Sequence, residues 1–341
     1  NVRFFIHVLR RLYMSTQITT AFVKQFDANV QLLVQQMGSR TRNAVTLESG
    51  KVGEEVFMDR IDSVAAQKVT SRHADSPLIS TPHDRRRVTP VDFDWGDMID
   101  NPDKLRLLID PASAYSQNAA MAMGRAMDEQ VIEALTGTAY GSTGDSASSG
   151  SSSSSSIAFD DTNQKIAIND TTFEVDGGSG DQGLTVGKLI HARKILGANE
   201  ADDYDVNGNS NLFLLVDAEQ LGKLLTSTKV NSADFNEVRA LVAGDLNQFM
   251  GFNIIRTELI PKKGGTHPAY DPTAQEGSSA DPTFCMAFHR RGIGLCVWED
   301  IVARISERPD KRFSQYIYYR MTIGATRLEE KRVVKISCKQ G

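Results

Sequence analysis

The stretch "PASAYSQNAAMAMGRAMDEQVIEALTG", Pro111 to Gly137, constrains the fold more than any other. It reads as one helix: Asp110 suits the N-cap, Pro111 the first helical position and Gly137 the residue past the end. Twenty-six residues at 1.5 Å each make a rod of roughly 39 Å. Tyr115, Ala119, Ala122, Met123, Ala126, Met127, Val131, Ala134 and Leu135 form a stripe that must face a core. Around residues 119–123 the helix is apolar nearly all round, so cover is expected from more than one side. Asp128, Glu129 and Glu133 crowd the half where the helix dipole disfavours acids. That surplus calls for basic partners elsewhere, with a neighbouring chain as the candidate. Nothing on the rod is catalytic.

The surrounding sequence alternates between segments that can bury themselves and segments that cannot. Residues 1–13, before Met14, read as a non-native leader and are set aside. Residues 14–48 carry a narrow stripe (Phe22, Phe26, Val30, Leu33, Met37) ended by Gly38, an N-terminal arm that must lie on something else. Residues 49–98 read as an extended hairpin loop. "EEVFMDRIDSV" is its outgoing arm, "HADSPLISTPHDRRR" contains its polar tip, and "RRVTPVDFDWGDMI" is the return, with Pro90 favouring an edge position. Such a hairpin is marginal alone in water. Within 138–183, "GSTGDSASSGSSSSSS" reads as a flexible insertion, with a small hairpin expected after it.

Order returns at Leu184. A helix is expected from near Thr185. Leu212–Val216 reads as a buried strand, followed by a helix capped by Asp217, and "FNIIRTELIP" as another strand. Residues 262–282 read as a loop. Two strands flank "HRRG", and the end divides into three more at 302–307, 313–323 and 332–338. The layout is α+β, with no fixed-period repeat.

Chemistry is thin. His191 sits on a helix and His289 precedes Arg290, Arg291 and Gly292; no histidine has metal-ligand spacing. "DYDVNGN" (Asp203–Asn209) looks like the front of a calcium loop, but its twelfth position is Leu214 instead of a bidentate Glu. There is no GxGxxG after a strand, no GxxxxGK[ST] and no GxSxG. The three cysteines (Cys285, Cys296, Cys338) form neither a zinc site nor a disulfide framework. The densest basic run, Arg85–Arg87, lacks interleaved aromatics and the chain carries net charge −5, so a nucleic-acid patch is disfavoured. Arg85, Arg86 and Arg87 are read instead as inter-subunit contacts, together with Asp128, Glu129 and Glu133. No apolar run approaches a membrane span, and no cofactor is expected.

The order of elements resembles the major capsid proteins of tailed double-stranded-DNA bacteriophages. The likeness rests on "DRRRVTPVDFDWGDMID", on "DPASAYSQNAAMAMGRAMDEQVIEAL", and on the ending "YIYYRMTIGATRLEEKRVVKISC". "NLFLLVDAEQLGKLL" is similar to the strand–helix unit in the middle of such chains. It covers residues 14–341, with 138–183 as a departure. The resemblance implies a capsid-type α+β fold with spine helix 111–136, a peripheral domain at 99–200, an axial domain at 201–300 and strands of 301–341 returning to the peripheral domain. It implies a non-enzymatic virion subunit that forms hexamers and pentamers of an icosahedral shell. That shell would enclose double-stranded DNA without sequence-specific binding, with scaffolding, portal and decoration proteins as partners and assembly in the host cytoplasm. The rival readings are a bacterial nanocompartment shell, an enzyme with an unrecognised site (His191, His289, Asp205) and a calcium-dependent module.

Overall fold

A computed structural model describes residues 36–69, 71, 76, 78–79, 81–99, 112–142, 154–173, 180–203, 210–226, 248–262 and 282–340. Expectations for residues 1–35, for the helix start at Asp110–Pro111, and for most of the 262–282 loop and the calcium-like turn lie outside them.

In chain order the strands are β1 (Thr46–Ser49), β2 (Val56–Ile61), β3 (His83–Val88) and β4 (Val91–Ile99). Helix α1 (Ala112–Thr136) follows, then β5 (Ala139–Ser142), β6 (Ser154–Ile157) and β7 (Lys165–Ile166). The second half contains α2 (Val186–Ala198), β8 (Leu212–Val216), α3 (Ala218–Thr226), β9 (Gln248–Phe249) and β10 (Phe252–Arg256). It ends with β11 (Pro282–His289), β12 (Ile293–Arg308), β13 (Ser314–Arg327) and β14 (Val333–Lys339).

Three sheets result. Helix α1 lies on the sheet ordered β1-β12-β13-β4. Its buried face is Ala119, Met123, Met127, Val131, Ile132 and Leu135, spaced three and four apart as one side of a helix requires. Gly137 closes the helix through its N–H on the Glu133 carbonyl at 2.8 Å. The expected second cover is the stretch from Gln36 to Thr41. A Cβ at Gly124 would lie 2.5 Å from the carbonyl carbon of Gly38, so only glycine permits that crossing. Tyr115 is exposed, however, and Ala122, Ala126 and Ala134 are only partly buried, so the stripe is narrower than its composition predicts.

The six-stranded sheet is ordered β7-β14-β11-β8-β10-β9. Every residue of β11 is buried, which is why "PTFCMAFH" reads as a continuous run and not as an alternation. Thr185 caps α2 through its side chain on the Lys188 N–H, and Asp217 caps α3 through the Gln220 N–H at 2.8 Å. One hydrophobic core runs from α1 through both of these sheets.

The third sheet, β2-β3-β5-β6, corrects two expectations. The hairpin's return arm is "HDRRRV", not "RRVTPVDFDWGDMI". After Thr89–Pro90 the chain changes sheets, and β4 pairs with β13. The link crosses β13 at Gly324, where a Cβ would lie 2.3 Å from the Thr89 carbonyl oxygen. The insertion is also partly structural. Its flanks form β5 and β6, β5 pairs with β3, and β7 pairs with β14 in parallel instead of forming its own hairpin.

The chain's end differs too. Residues 293–308 form one strand, because Glu299 and Asp300, which resemble a turn, are absorbed as a bulge between Val297 and Val302. The expected division at residue 300 therefore falls inside β12. β14 joins the six-stranded sheet beside β11, while β12 and β13 lie under α1.

Candidate assembly surface

Period-two geometry splits the arginine run. On β3, Arg86 points inward with 1% of its surface exposed, while Arg85 and Arg87 point outward. Arg86 donates from Nη2 to both Glu330 oxygens (3.2 and 3.1 Å) and from Nε to the Leu328 carbonyl (3.3 Å). Arg60 joins it, donating to Asp84 (2.8 Å from Nε) and to the Leu328 carbonyl (2.9 Å). Burial pushes the Asp84 carboxyl up, but the Arg85 N–H and the Arg60 guanidinium outweigh that and hold it below its ordinary range. Fully buried Arg327 donates to the carbonyls of Leu135 (3.2 Å) and Gly137 (2.7 Å), where the helix dipole is negative. It also reaches the Ile157 carbonyl (3.2 Å) and lies 3.5 Å from Glu330. Three arginines and two carboxylates thus tie the hairpin, the end of α1, β6 and the β13–β14 link to one point. Arg86, expected as an inter-subunit contact, is spent within its own chain on Glu330 and the Leu328 carbonyl, with 1% of its surface exposed in the single subunit.

Asp128, another expected contact residue, is also spent within its own chain. It is 0% exposed, and its oxygens accept from Ser39 Oγ (2.6 Å), the Arg40 N–H (3.0 Å), the Thr41 N–H (3.1 Å), Thr41 Oγ1 (2.7 Å) and Gln36 Nε2. Among the described residues no basic side chain pairs with it; amides and hydroxyls of the incoming chain serve instead. Of the other two acids expected to make contacts from α1, Glu129 is half-buried and Glu133 is exposed, accepting from Gln130 Nε2 at 3.2 Å.

The outer face of the hairpin remains. Arg85 pairs with Asp59 (3.4 Å) and lies over the Phe57 ring (5.6 Å). Arg87 pairs with Glu55 (2.8 Å) and lies over Tyr140 (5.3 Å). Phe57, Ile61 and Tyr140 are exposed on this face, and Val64, Val69 (81%) and Leu78 (98%) are exposed farther out. A second projection is the far end of β12–β13, where residues 303–313 are all exposed and include Ile305 and Phe313. The hairpin is expected from the sequence as a segment that cannot bury itself, whereas the ribbon end of β12–β13 is not among those expectations. The signal is present in "ARISERPDKRF", whose Ile and Phe sit among charges with no apolar partner at strand spacing.

The histidines do local work. His191 Nδ1 meets Asp170 Oδ2 at 2.6 Å, and Asp170 Oδ1 accepts from the Thr172 hydroxyl at 2.5 Å. His289 Nδ1 accepts from the Arg291 N–H (3.1 Å) and Arg332 Nη1 (3.2 Å), so its proton sits on Nε2. Burial, with Arg332 alongside, pushes the His289 pKa below its ordinary value. Among the described residues no three potential ligands cluster to hold a metal ion.

Several solved structures share the fold. A Mycobacterium phage Che8 structure superposes with a TM-score of 0.60 at 15% identity, covering 92% of this chain and 97% of that one. The capsid of cyanophage P-SCSP1u gives 0.65 at 14% identity, covering 95% of each. The acid-stable capsid of Helicobacter pylori bacteriophage KHP30 gives 0.65 at 10% identity, covering 96% and 98%. No curated protein matches the sequence. A family model described as "Phage capsid protein" matches residues 18–340, nearly the whole chain. A strut without chemistry, a hairpin with apolar residues turned to solvent and a second uncovered ribbon are what a shell subunit needs, and the chain belongs to the phage capsid protein family.

Proposed function

We propose that this capsid subunit assembles into hexamers and pentamers of a closed icosahedral shell around double-stranded DNA. The observation that carries this is uncovered apolar surface on two projections, Ile61, Val64, Val69 and Leu78 on the hairpin and Ile305 and Phe313 on the ribbon. Burying a side chain of this size stabilises by about 1.5–3 kcal/mol, so many such contacts repeated around a shell hold it together. Arg85, Arg87, Glu129 and Glu133 are its candidate contact residues. The sheet under α1 is assigned to a peripheral domain, the six-stranded sheet to an axial domain and β2–β3 to the extended loop. In this reading the chain acts in the virion, is not an enzyme, and assembles in the host cytoplasm with scaffolding, portal and decoration proteins. Changing Arg85 and Arg87 together to Glu tests it. The monomer should keep its circular dichroism and melting temperature while particle yield falls sharply, and normal yield would remove both residues from the interface.

A further inference from the structure

A cleft of about 670 Å3 lies at the root of the hairpin. β2 lines it with Met58, Asp59 and Arg60, three consecutive residues. A strand turns only alternate side chains to either face, so three in a row mean that β2 meets the cleft with its edge. β2 is the end strand of its sheet, and among the described residues no backbone hydrogen bond reaches it on the side away from β3. Such an edge is a template for one more strand. β1 contributes residues 46–48, with Leu47 41% exposed. The carboxylates of the cleft are already paired: Glu48 with Lys51 (2.6 Å), Asp59 with Arg85 (3.4 Å) and Glu329 with Arg332 (2.5 Å). Arg60 is taken by Asp84. Arg290 and Arg291 also line the cleft; both are exposed and, among the described residues, neither has an ion pair.

The chain itself carries a segment of the kind this edge accepts. Residues 62–69, "DSVAAQKV", form no helix, turn or bend, and every one is exposed. The Asp62 N–H donates to the Pro82 carbonyl at 3.2 Å, one step past the Ile61–His83 pair, so the segment continues away from its own cleft. Beyond that bond no partner holds its backbone among the described residues. We propose that residues 62–69 of a second copy add a strand to the free edge of β2 in this cleft, with Asp62 on Arg290 and Arg291 and Val64 against Leu47. Main-chain hydrogen bonds would hold the strand and these side chains would set its register. The proposal rests on the self-assembly proposed above and names the surface that receives the hairpin.

The test is cross-linking with a short bismaleimide between two variants of the full chain, Val64→Cys and Leu47→Cys. Both positions are exposed and the native thiols are buried, so both variants should keep the parent's melting temperature and only the new thiols should react. Glu48→Cys, on the same wall, is the second anchor should Leu47→Cys fold poorly. A mixture of the two variants, at a concentration where microscopy shows particles, should give covalent dimers, and neither variant alone should. Adding Asp62→Arg to the Val64→Cys chain should cut the yield about fivefold, and Arg290→Asp/Arg291→Asp on the other chain should restore it. Particles without the 64–47 cross-link overturn the proposal and leave self-assembly standing. Equal cross-linking of Val64→Cys to Ile305→Cys on the ribbon, or a yield indifferent to the charge reversal, also overturns it. Absence of particles as well as cross-link overturns both readings.

Discussion

Replacing Asp128 with Ala should detach the incoming N-terminal segment from the spine. Its carboxylate accepts from two backbone N–H groups, two hydroxyls and one side-chain amide, all from Gln36–Thr41. The hydroxyls can rotate to other acceptors, and Ser39 Oγ already accepts from the Arg42 N–H at 3.2 Å. The Arg40 and Thr41 N–H groups cannot turn away. Each unpaired buried N–H costs about 1–3 kcal/mol, and the lost charge-assisted bonds bring the total to about 3–5 kcal/mol. At about 2 °C per kcal/mol for a chain of this size, the melting temperature should fall about 6–10 °C. Asp128→Asn keeps one acceptor oxygen and should lose less than half of that. Hydrogen exchange at residues 40–49, which include β1, should accelerate in Asp128→Ala before the six-stranded sheet is affected. Glu133→Ala, on the exposed side of the same helix, should stay within about 0.5 kcal/mol of the parent. If Asp128→Ala matched the parent in both melting and exchange, the role of the carboxylate as the arm's anchor would be refuted.

The hairpin arginines should separate by face. Arg86→Ala removes one partner of a buried pair and should cost about 3 kcal/mol, whereas Arg85→Ala and Arg87→Ala should each cost under about 1 kcal/mol in thermal melts of the monomer. Stability should fall on acidification beginning near pH 6.5. Folding holds His289 below its ordinary pKa, so the unfolded chain binds the extra proton first; the stability is complete above the unfolded value of about 6.5 and is lost as pH drops through it. His289→Asn should flatten urea-derived stability between pH 7 and 5, and an unchanged slope would contradict this. All three thiols are buried, and burial raises the Cys296 pKa to about 11. Thiol-specific labelling should therefore be slow until denaturant is added, and rapid labelling of folded protein would contradict the packing. Deleting Ser154–Ser156 should loosen the hairpin, because those residues form most of β6, and proteolysis within residues 56–88 should quicken.

What the sequence exposes and what it hides follow from range. Helix α1, the caps at Thr185 and Asp217 and the buried run of β11 depend on neighbours three or four residues away, and they are legible. Asp128 misleads because its partners lie 87 to 92 residues distant. Arg85–Arg87 looks like one basic patch when the run is taken as a loop foot; as a strand, period two alone separates Arg86. β6 is almost all serine, and no propensity marks it. It is a strand because β5 offers an unpaired edge. Glu299 and Asp300 mimic a turn that a bulge accommodates without breaking β12. The candidate contact surface is half legible: charge draws attention to Arg85 and Arg87, but solvent exposure of Leu78 or Ile305 depends on what the rest of the chain fails to cover.

The most direct test of the central claim is negative-stain microscopy of the purified full chain across a concentration series. Self-assembly predicts rings of five and six subunits or closed shells of uniform diameter, reduced to single subunits by Arg85→Glu/Arg87→Glu. A parent chain that stays monomeric at the highest concentration reached, with its hairpin protected from protease, would contradict it.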